Sequence, residues 1–195
     1  TIGVEGDHSG AYSFTASGYY HPDSSSVIAG ASLTSSALPH TAQEQFYRSN
    51  HFTWDRDDDP EQQTRLRLLF GIPVKGLSVE AEWLHRKNYI TYAESDFLPV
   101  LNSGAIDLFA ARIHYTQNVG RFGFPLQLVI QGSSYENSIP VQPLVFKTGF
   151  YYKNRFFKKA LNFCAGVDVS MASESYLHGY MPATGAFYIQ REKKT

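Results

Sequence analysis

The chain has 195 residues with a formal net charge of −1 and only 18% charged residues, so it carries neither the basic footprint of a nucleic-acid binder nor an acidic tail. No run approaches the roughly 18 apolar residues of a membrane helix, which excludes a helical span but not a barrel, whose strands are only half apolar. The single cysteine, Cys164, cannot close an internal disulfide and reads as a small strand residue, with no C-x-x-C or His/Cys zinc spacing around it.

Taken in order, residues 1–7 read as the remains of a strand, with Ile2 and Val4 alternating with small residues, and residues 8–10 as a turn. Residues 11–20 set Tyr12, Phe14, Ala16 and Gly18 against Ser13, Thr15 and Ser17. That is a period of two, hence a strand. Residues 21–26 form a polar loop, and residues 27–37 a weak strand of small residues that Pro39 and His40 break. Residues 43–55 read as one strand with Phe46, Phe52 and Trp54 in phase, followed by the charged loop 56–60.

Residues 61–74 place Leu66, Leu68, Phe70 and Ile72 on one face and Arg65, Arg67 and Gly71 on the other. After a tight turn at 73–76, residues 77–92 set Leu77, Val79, Ala81 and Trp83 against Ser78, Glu80 and Glu82. A longer loop, 93–104, leads to a strand over 105–118 whose phase is clean only from 109 to 115. A turn at 119–123 precedes residues 124–134, with Phe124, Leu126, Leu128 and Ile130 opposite Gln127 and Gln131. Residues 135–142 are a loop. The longest alternation follows. Leu144, Phe146, Phe150 and Tyr152 oppose Lys147, Gly149 and Lys153; then Leu161, Phe163, Ala165, Val167, Val169 and Met171 oppose Asn162, Cys164, Gly166, Asp168 and Ser170. A basic connection at 155–160 joins the two as a hairpin. Residues 173–185 read as a long loop, and 186–191 begin one more strand.

Periodicity thus predicts about eleven strands and no helix. Tight turns (73–76, 119–123, 155–160) alternate with longer polar loops (56–60, 93–104, 135–142, 173–185). An up-and-down outer-membrane barrel needs that order, with short turns at one rim and longer loops at the other. A soluble β-sandwich also yields alternating strands but has no reason to keep it. The predicted fold is therefore all-β, a transmembrane up-and-down antiparallel β-barrel. Residues 1–195 form part of one such domain, expected to be cut at both ends: Thr1 opens inside an alternating stretch, and the chain stops just after Phe187, Tyr188 and Ile189.

On this reading the polar parity faces the lumen, and its candidates are Arg65, Arg67, Glu80, Glu82, Gln127, Gln131, Lys147 and Asp168. The 73–76 turn brings Arg65 and Arg67 back to face Glu80 and Glu82, in a register open by two residues; Lys147 and Asp168 stand in the same relation across 155–160. Such pairs stabilise by about 0.2–1 kcal/mol each. They either bias which solutes pass or simply satisfy one another in a narrow barrel. Aromatics near strand ends, Trp54, Tyr89, Tyr92, Tyr115, Phe124, Tyr152 and Tyr188, fit interfacial girdles, although aromatics favour strands in any case.

No catalytic set emerges, and no enzyme activity, metal or cofactor is expected. The seven histidines are scattered without metal spacing, G-x-S-x-G is absent, and the glycines open no helix as a phosphate loop does. His85 shares the parity of Leu77 and Trp83 and reads as an interfacial residue. Asp57, Asp58 and Asp59 read as a solvated loop.

One further signal is a resemblance. Gly149-Phe150-Tyr151-Tyr152-Lys153, Phe157-Lys158-Lys159-Ala160-Leu161, Gly166-Val167-Asp168-Val169 and, most specifically, Tyr180-Met181-Pro182-Ala183-Thr184-Gly185-Ala186-Phe187-Tyr188-Ile189-Gln190 are similar to the putative porin family of the Bacteroidetes outer membrane. Asn88-Tyr89-Ile90-Thr91-Tyr92 resembles a strand end of the same family, whereas Ser170 to Ser175 depart from its tyrosine-rich pattern. The resemblance is strongest over residues 137–195 and implies a large outer-membrane barrel continuing beyond this chain, with no catalytic residues and no defined substrate. The first functional reading is a porin passing small solutes passively, with outer-membrane lipid as its partner. The others are a scaffold or translocation partner among envelope proteins, and a soluble β-sandwich binding module.

Overall fold

The computed structural model describes residues 11–22, 27–134 and 139–194. The strand expected at 1–7 and the turn at 8–10 lie outside these residues, as do parts of the loops at 21–26 and 135–142. In chain order the elements are β1 (Tyr12–Tyr20), β2 (Ile28–Leu38), a one-turn helix α1 (Ala42–Gln45), β3 (Phe46–Arg48), β4 (Thr53–Asp55), β5 (Glu61–Ile72), β6 (Leu77–Lys87), β7 (Tyr89–Tyr92), β8 (Pro99–Asn102), β9 (Ile106–Val119), β10 (Phe122–Ser133), β11 (Leu144–Phe156), β12 (Leu161–Ala172), β13 (Ser175–Met181) and β14 (Ala186–Lys194). No helix among the described residues is long and apolar enough to cross a membrane.

Eight long strands form one sheet in the order β1-β2-β5-β6-β9-β10-β11-β12, and every neighbouring pair is antiparallel. The wall is up-and-down, as the strand and turn pattern predicts. Its short connections share one end. Pro73–Lys75 closes on Gly76 in the left-handed conformation at φ 65. A Cβ there would lie 2.3 Å from the carbonyl oxygen of Thr116, so only glycine fits. Gly120, at φ 61, turns β9 into β10, and Phe157–Lys159 turns β11 into β12.

Among the described residues the sheet, expected as part of a larger barrel, does not close. β1 and β12 are the two edges of an open sheet, and β12 is exposed along its whole length. The strand count also differs, with fourteen described strands, because the long connections hold structure of their own.

Residues 43–55 are not one strand. Thr41 caps α1, its hydroxyl accepting the Glu44 N–H while the Glu44 carboxylate accepts the Thr41 N–H. The chain then doubles back as the β3–β4 hairpin. Residues 77–92 break at Asn88, whose φ is 54, into β6 and β7. The loops at 93–104 and 173–185 contain β8 and β13. These short strands make a four-stranded sheet, β13-β14-β7-β8, in which β14 meets β7 in parallel at Tyr188 and Tyr92.

This second sheet caps the loop end. The β13–β14 hairpin leaves from β12, yet β14 pairs with β7, which continues from β6. Four strand spacings separate β12 from β6, roughly 19 Å, and a seven-residue strand reaches about 23 Å. The hairpin therefore bridges the loop end of the wall. Its turn is held from the β2–β5 connection, where Gln43 Nε2 donates to the Thr184 carbonyl and the Tyr47 hydroxyl to the Ala183 carbonyl. The buried side chains gather at this end: Trp54, Tyr89, Ile106, Ala186, His40, Ser175 and Thr184.

Candidate functional site

Strand alternation gives the eight-stranded wall two unlike faces. One carries Leu66, Leu68 and Phe70 on β5, Leu77, Val79 and Ala81 on β6, Ile113 on β9, Leu126, Leu128 and Ile130 on β10, and Val167, Val169 and Met171 on β12. Many are large, apolar and exposed. The other carries the charges.

At mid-height of that polar face the register sets Arg67 of β5 opposite Glu82 of β6 and Glu80 opposite Arg112 of β9. Glu82 is the hub. Arg67 Nη2 donates to its Oε2 at 3.3 Å and Arg112 Nη1 to the same oxygen at 3.5 Å. Arg65 approaches Oε1 through Nε at 3.5 Å, without the geometry of a hydrogen bond. Arg112 also stands 3.9 Å from Glu80. Three guanidiniums thus crowd two carboxylates. Glu82 is the sheltered member at 16% side-chain exposure, while Arg67 reaches into solvent at 48%.

The rest of the polar face is softer. Gln127 lies between His114 and Lys147, and Gln131 lies beside Ala110. Lys147 and Asp168 share the polar face with an offset of two residues: Lys147 faces Ser170, and Asp168 faces Gly149. Asp168 accepts the hydroxyl of Tyr151. Among the described residues no three His, Cys, Asp or Glu side chains gather as a metal site would need.

The aromatic residues divide. Tyr115, Phe124 and Tyr152 lie on the apolar face toward the short-turn end. Phe122 stacks on Phe150 at 5.4 Å there, Phe124 packs on Phe150 at 5.3 Å and Tyr152 meets Phe163 at 6.5 Å. Trp54, Tyr89, Tyr92 and Tyr188 are not on the wall and form no second girdle. They build the interior of the cap. Trp54 stacks on Tyr47 at 4.7 Å, meets the edge of Tyr92 at 6.3 Å and donates Nε1 to the Gln43 carbonyl; Tyr188 packs on Phe97 at 5.0 Å. Burial, with Glu44 adding to it, holds the Tyr92 phenol above its ordinary pKa.

A family model described as "Putative porin" matches residues 1–195, the whole chain. The chain belongs to this porin family. No curated protein matches it.

In this porin-family chain the two ends of the wall also differ in charge. The short-turn end presents Lys75, Arg121, Lys153, Arg155 and Lys158, with no carboxylate among the described residues of those turns. At the loop end carboxylates outnumber basic groups, with Asp55, Asp57, Asp58, Asp59, Glu94 and Asp96 among them. There Arg56 bridges the cap. Its Nε donates to Asp58 at 2.6 Å and its Nη1 to the Pro99 carbonyl at 2.8 Å. The hydrogen bond from Arg56 holds the Asp58 carboxyl below the usual carboxylate range.

Arg112 is the member of the charged cluster absent from the lumen candidates. It sits on β9 within the clean stretch 109–115, on the parity opposite to Phe109, Ala111, Ile113 and Tyr115. The signal that finds it is that parity, which puts it on the polar face, where the register sets it opposite Glu80.

Proposed function

We propose that this porin-family chain is part of an outer-membrane β-barrel whose polar face lines a water-filled passage for small solutes, crossed passively and without catalysis. The observation that carries this reading is the charged cluster of Arg65, Arg67, Glu80, Glu82 and Arg112 on one face of a wall whose opposite face is apolar and exposed. A soluble domain buries such an apolar face, whereas a bilayer solvates it. The charges lie where an aqueous lumen accommodates them, and a bilayer requires both free edges, β1 and β12, to be paired. Single-channel recording of the full-length protein in planar bilayers tests the reading: steady conductance steps are expected, and their absence overturns it.

A scaffold or translocation partner in an envelope complex is the second reading. It is favoured by the folded cap, in which the β6–β9 connection and the segment after β12 join into one sheet that the β2–β5 connection grips by hydrogen bonds. Silent bilayers, together with envelope proteins recovered by cross-linking to the cap, would decide for it.

A further inference from the structure

The apolar face of β5, β6, β9 and β10 resolves into rows that run across the four strands. Nearest the loops is a polar row of Thr64, His85, Asp107 and Ser134. Below it come Leu66, Trp83, Phe109 and Gly132, and then Leu68, Ala81, Ala111 and Ile130. In these two rows the small residues Gly132, Ala81 and Ala111 stand among large ones. The outcome is a groove of about 510 Å³ between Leu66, Leu68, Trp83, Phe109 and Ile130.

The polar row lies in the next register row beyond one end of that groove, and Trp83 of the groove reaches it. Asp107 Oδ1 accepts from Trp83 Nε1 at 3.0 Å and lies 2.9 Å from His85 Nδ1. Both contacts fall on one oxygen, which leaves Oδ2 as an acceptor for a ligand. The pair is only part-covered, with His85 30% and Asp107 35% exposed. Lys87 follows on the same parity, one row nearer the loops. A carboxylate and two basic side chains thus sit beyond one end of a mostly apolar trough.

We propose that this is a binding site for a single lipid molecule. The acyl chain fills the trough past Ala81 and Ala111, and the head group meets Asp107, His85 and Lys87. The polarity argues for a lipid over a protein partner. An amphiphile is apolar along its length and polar at one tip, and the trough has that pattern in the matching orientation, with its polar tip toward the loops. Lys87 suits a head-group phosphate, and Asp107 Oδ2 suits a head-group amine or hydroxyl. The groove falls in the 300–1,000 Å³ range of small-ligand sites. This inference rests on the membrane reading above.

Trp83 makes the site measurable. It is one of two tryptophans, and the other, Trp54, is buried in the cap. The full-length Trp54→Phe protein in detergent micelles would be titrated with a phospholipid brominated on its acyl chain. Quenching of Trp83 should saturate near one lipid per protein. Ala111→Phe, which fills the trough, should raise the half-saturating concentration about tenfold. Asp107→Asn, which leaves the trough open, should weaken binding several-fold, and it stands in if Ala111→Phe does not fold. Quenching that rises linearly with lipid fraction and ignores these substitutions would mean ordinary contact with surrounding lipid and would overturn the site. Extraction of the protein without detergent would instead overturn the membrane reading itself.

Discussion

The ring of Tyr151 lies across the backbone of Gly166, its direct partner on the neighbouring strand, and its hydroxyl donates to Asp168 two residues further along. A Cβ on Gly166 would stand 2.3 Å from the ring and 2.5 Å from the Phe150 carbonyl oxygen. The same pairing recurs at Tyr19 with Gly30 and at Tyr188 with Gly179. A glycine inside a strand offers nothing to pack, and a cross-strand aromatic ring covers the gap.

Gly166→Val should therefore destabilise the wall, because the contact on one side is backbone and cannot swing away. The expected cost is about 1–3 kcal/mol, that of overpacking. Cys164→Val, on the same exposed face of the same strand, should cost less than about 0.5 kcal/mol. Urea unfolding of the refolded full-length protein in detergent compares the two.

Phe150→Arg should destabilise more than Lys147→Gln. Phe150 is on the apolar face, mid-strand and 47% exposed, and an arginine facing lipid near the bilayer middle costs about 2–4 kcal/mol. Lys147 lies on the polar face, where losing its charge costs little. Equal loss of the heat-modifiable band in both variants would contradict the assignment of the faces.

Ion selectivity should follow the sign of the charge removed from the cluster around Glu82. Converting Arg65 and Arg67 to Gln should shift the reversal potential toward cations, and converting Glu80 and Glu82 to Gln toward anions. Removing the two carboxylates should have the larger effect, since three arginines then stand uncompensated. Both shifts should shrink near 1 M salt, where the Debye length is about 3 Å. Recordings across a salt gradient would show this, and unchanged potentials with conductance retained would remove these residues from the permeation path.

Acid should loosen the cap. The Asp58 carboxyl is held below its ordinary value by the Arg56 hydrogen bond. A carboxyl depressed in the folded state contributes stability above its unfolded pKa, and that contribution is lost as pH falls through the folded one. The loss begins below about pH 4, since the unfolded value is about 3.9. Protection from hydrogen exchange in residues 93–102, taken relative to the intrinsic rate at each pH, should fall in that range, and Asp58→Asn should remove this dependence while lowering protection at neutral pH.

The wall was legible because its strands are long and one-sided. From β10 to β12 the period-two pattern runs for about a dozen residues at a time, over β9 it is clean from 109 to 115, and the tight turn at Gly76 puts the charges of β5 and β6 on one face while leaving their register open by two residues. The cap was not legible, and the reason is physical. Tyr89, Tyr92 and Tyr188 are aromatic residues near strand ends, the composition that suits a headgroup layer. The same composition suits the small interior in which they are found. Three- and four-residue strands such as β4 and β8 are too short to display a period, and their pairing is set by chain segments far away: Gln43 reaches Thr184 and Tyr47 reaches Ala183. The Tyr180–Gln190 motif that carried the family resemblance turns out to be the hairpin gripped there. Its Thr184 is 3% exposed.

The opposite charges of the two rims give the molecule an electrical direction. For a pore, the acidic loop end concentrates cations at one mouth and the basic turns concentrate anions at the other. A driving voltage of one sign then pulls both ion types inward from their enriched mouths, and the reverse voltage pulls both from mouths depleted of them. Current through such a passage is larger in one direction, as in a diode. The asymmetry belongs to the rims and not to the cluster at mid-height, so it would persist even with Glu82 and its arginines removed.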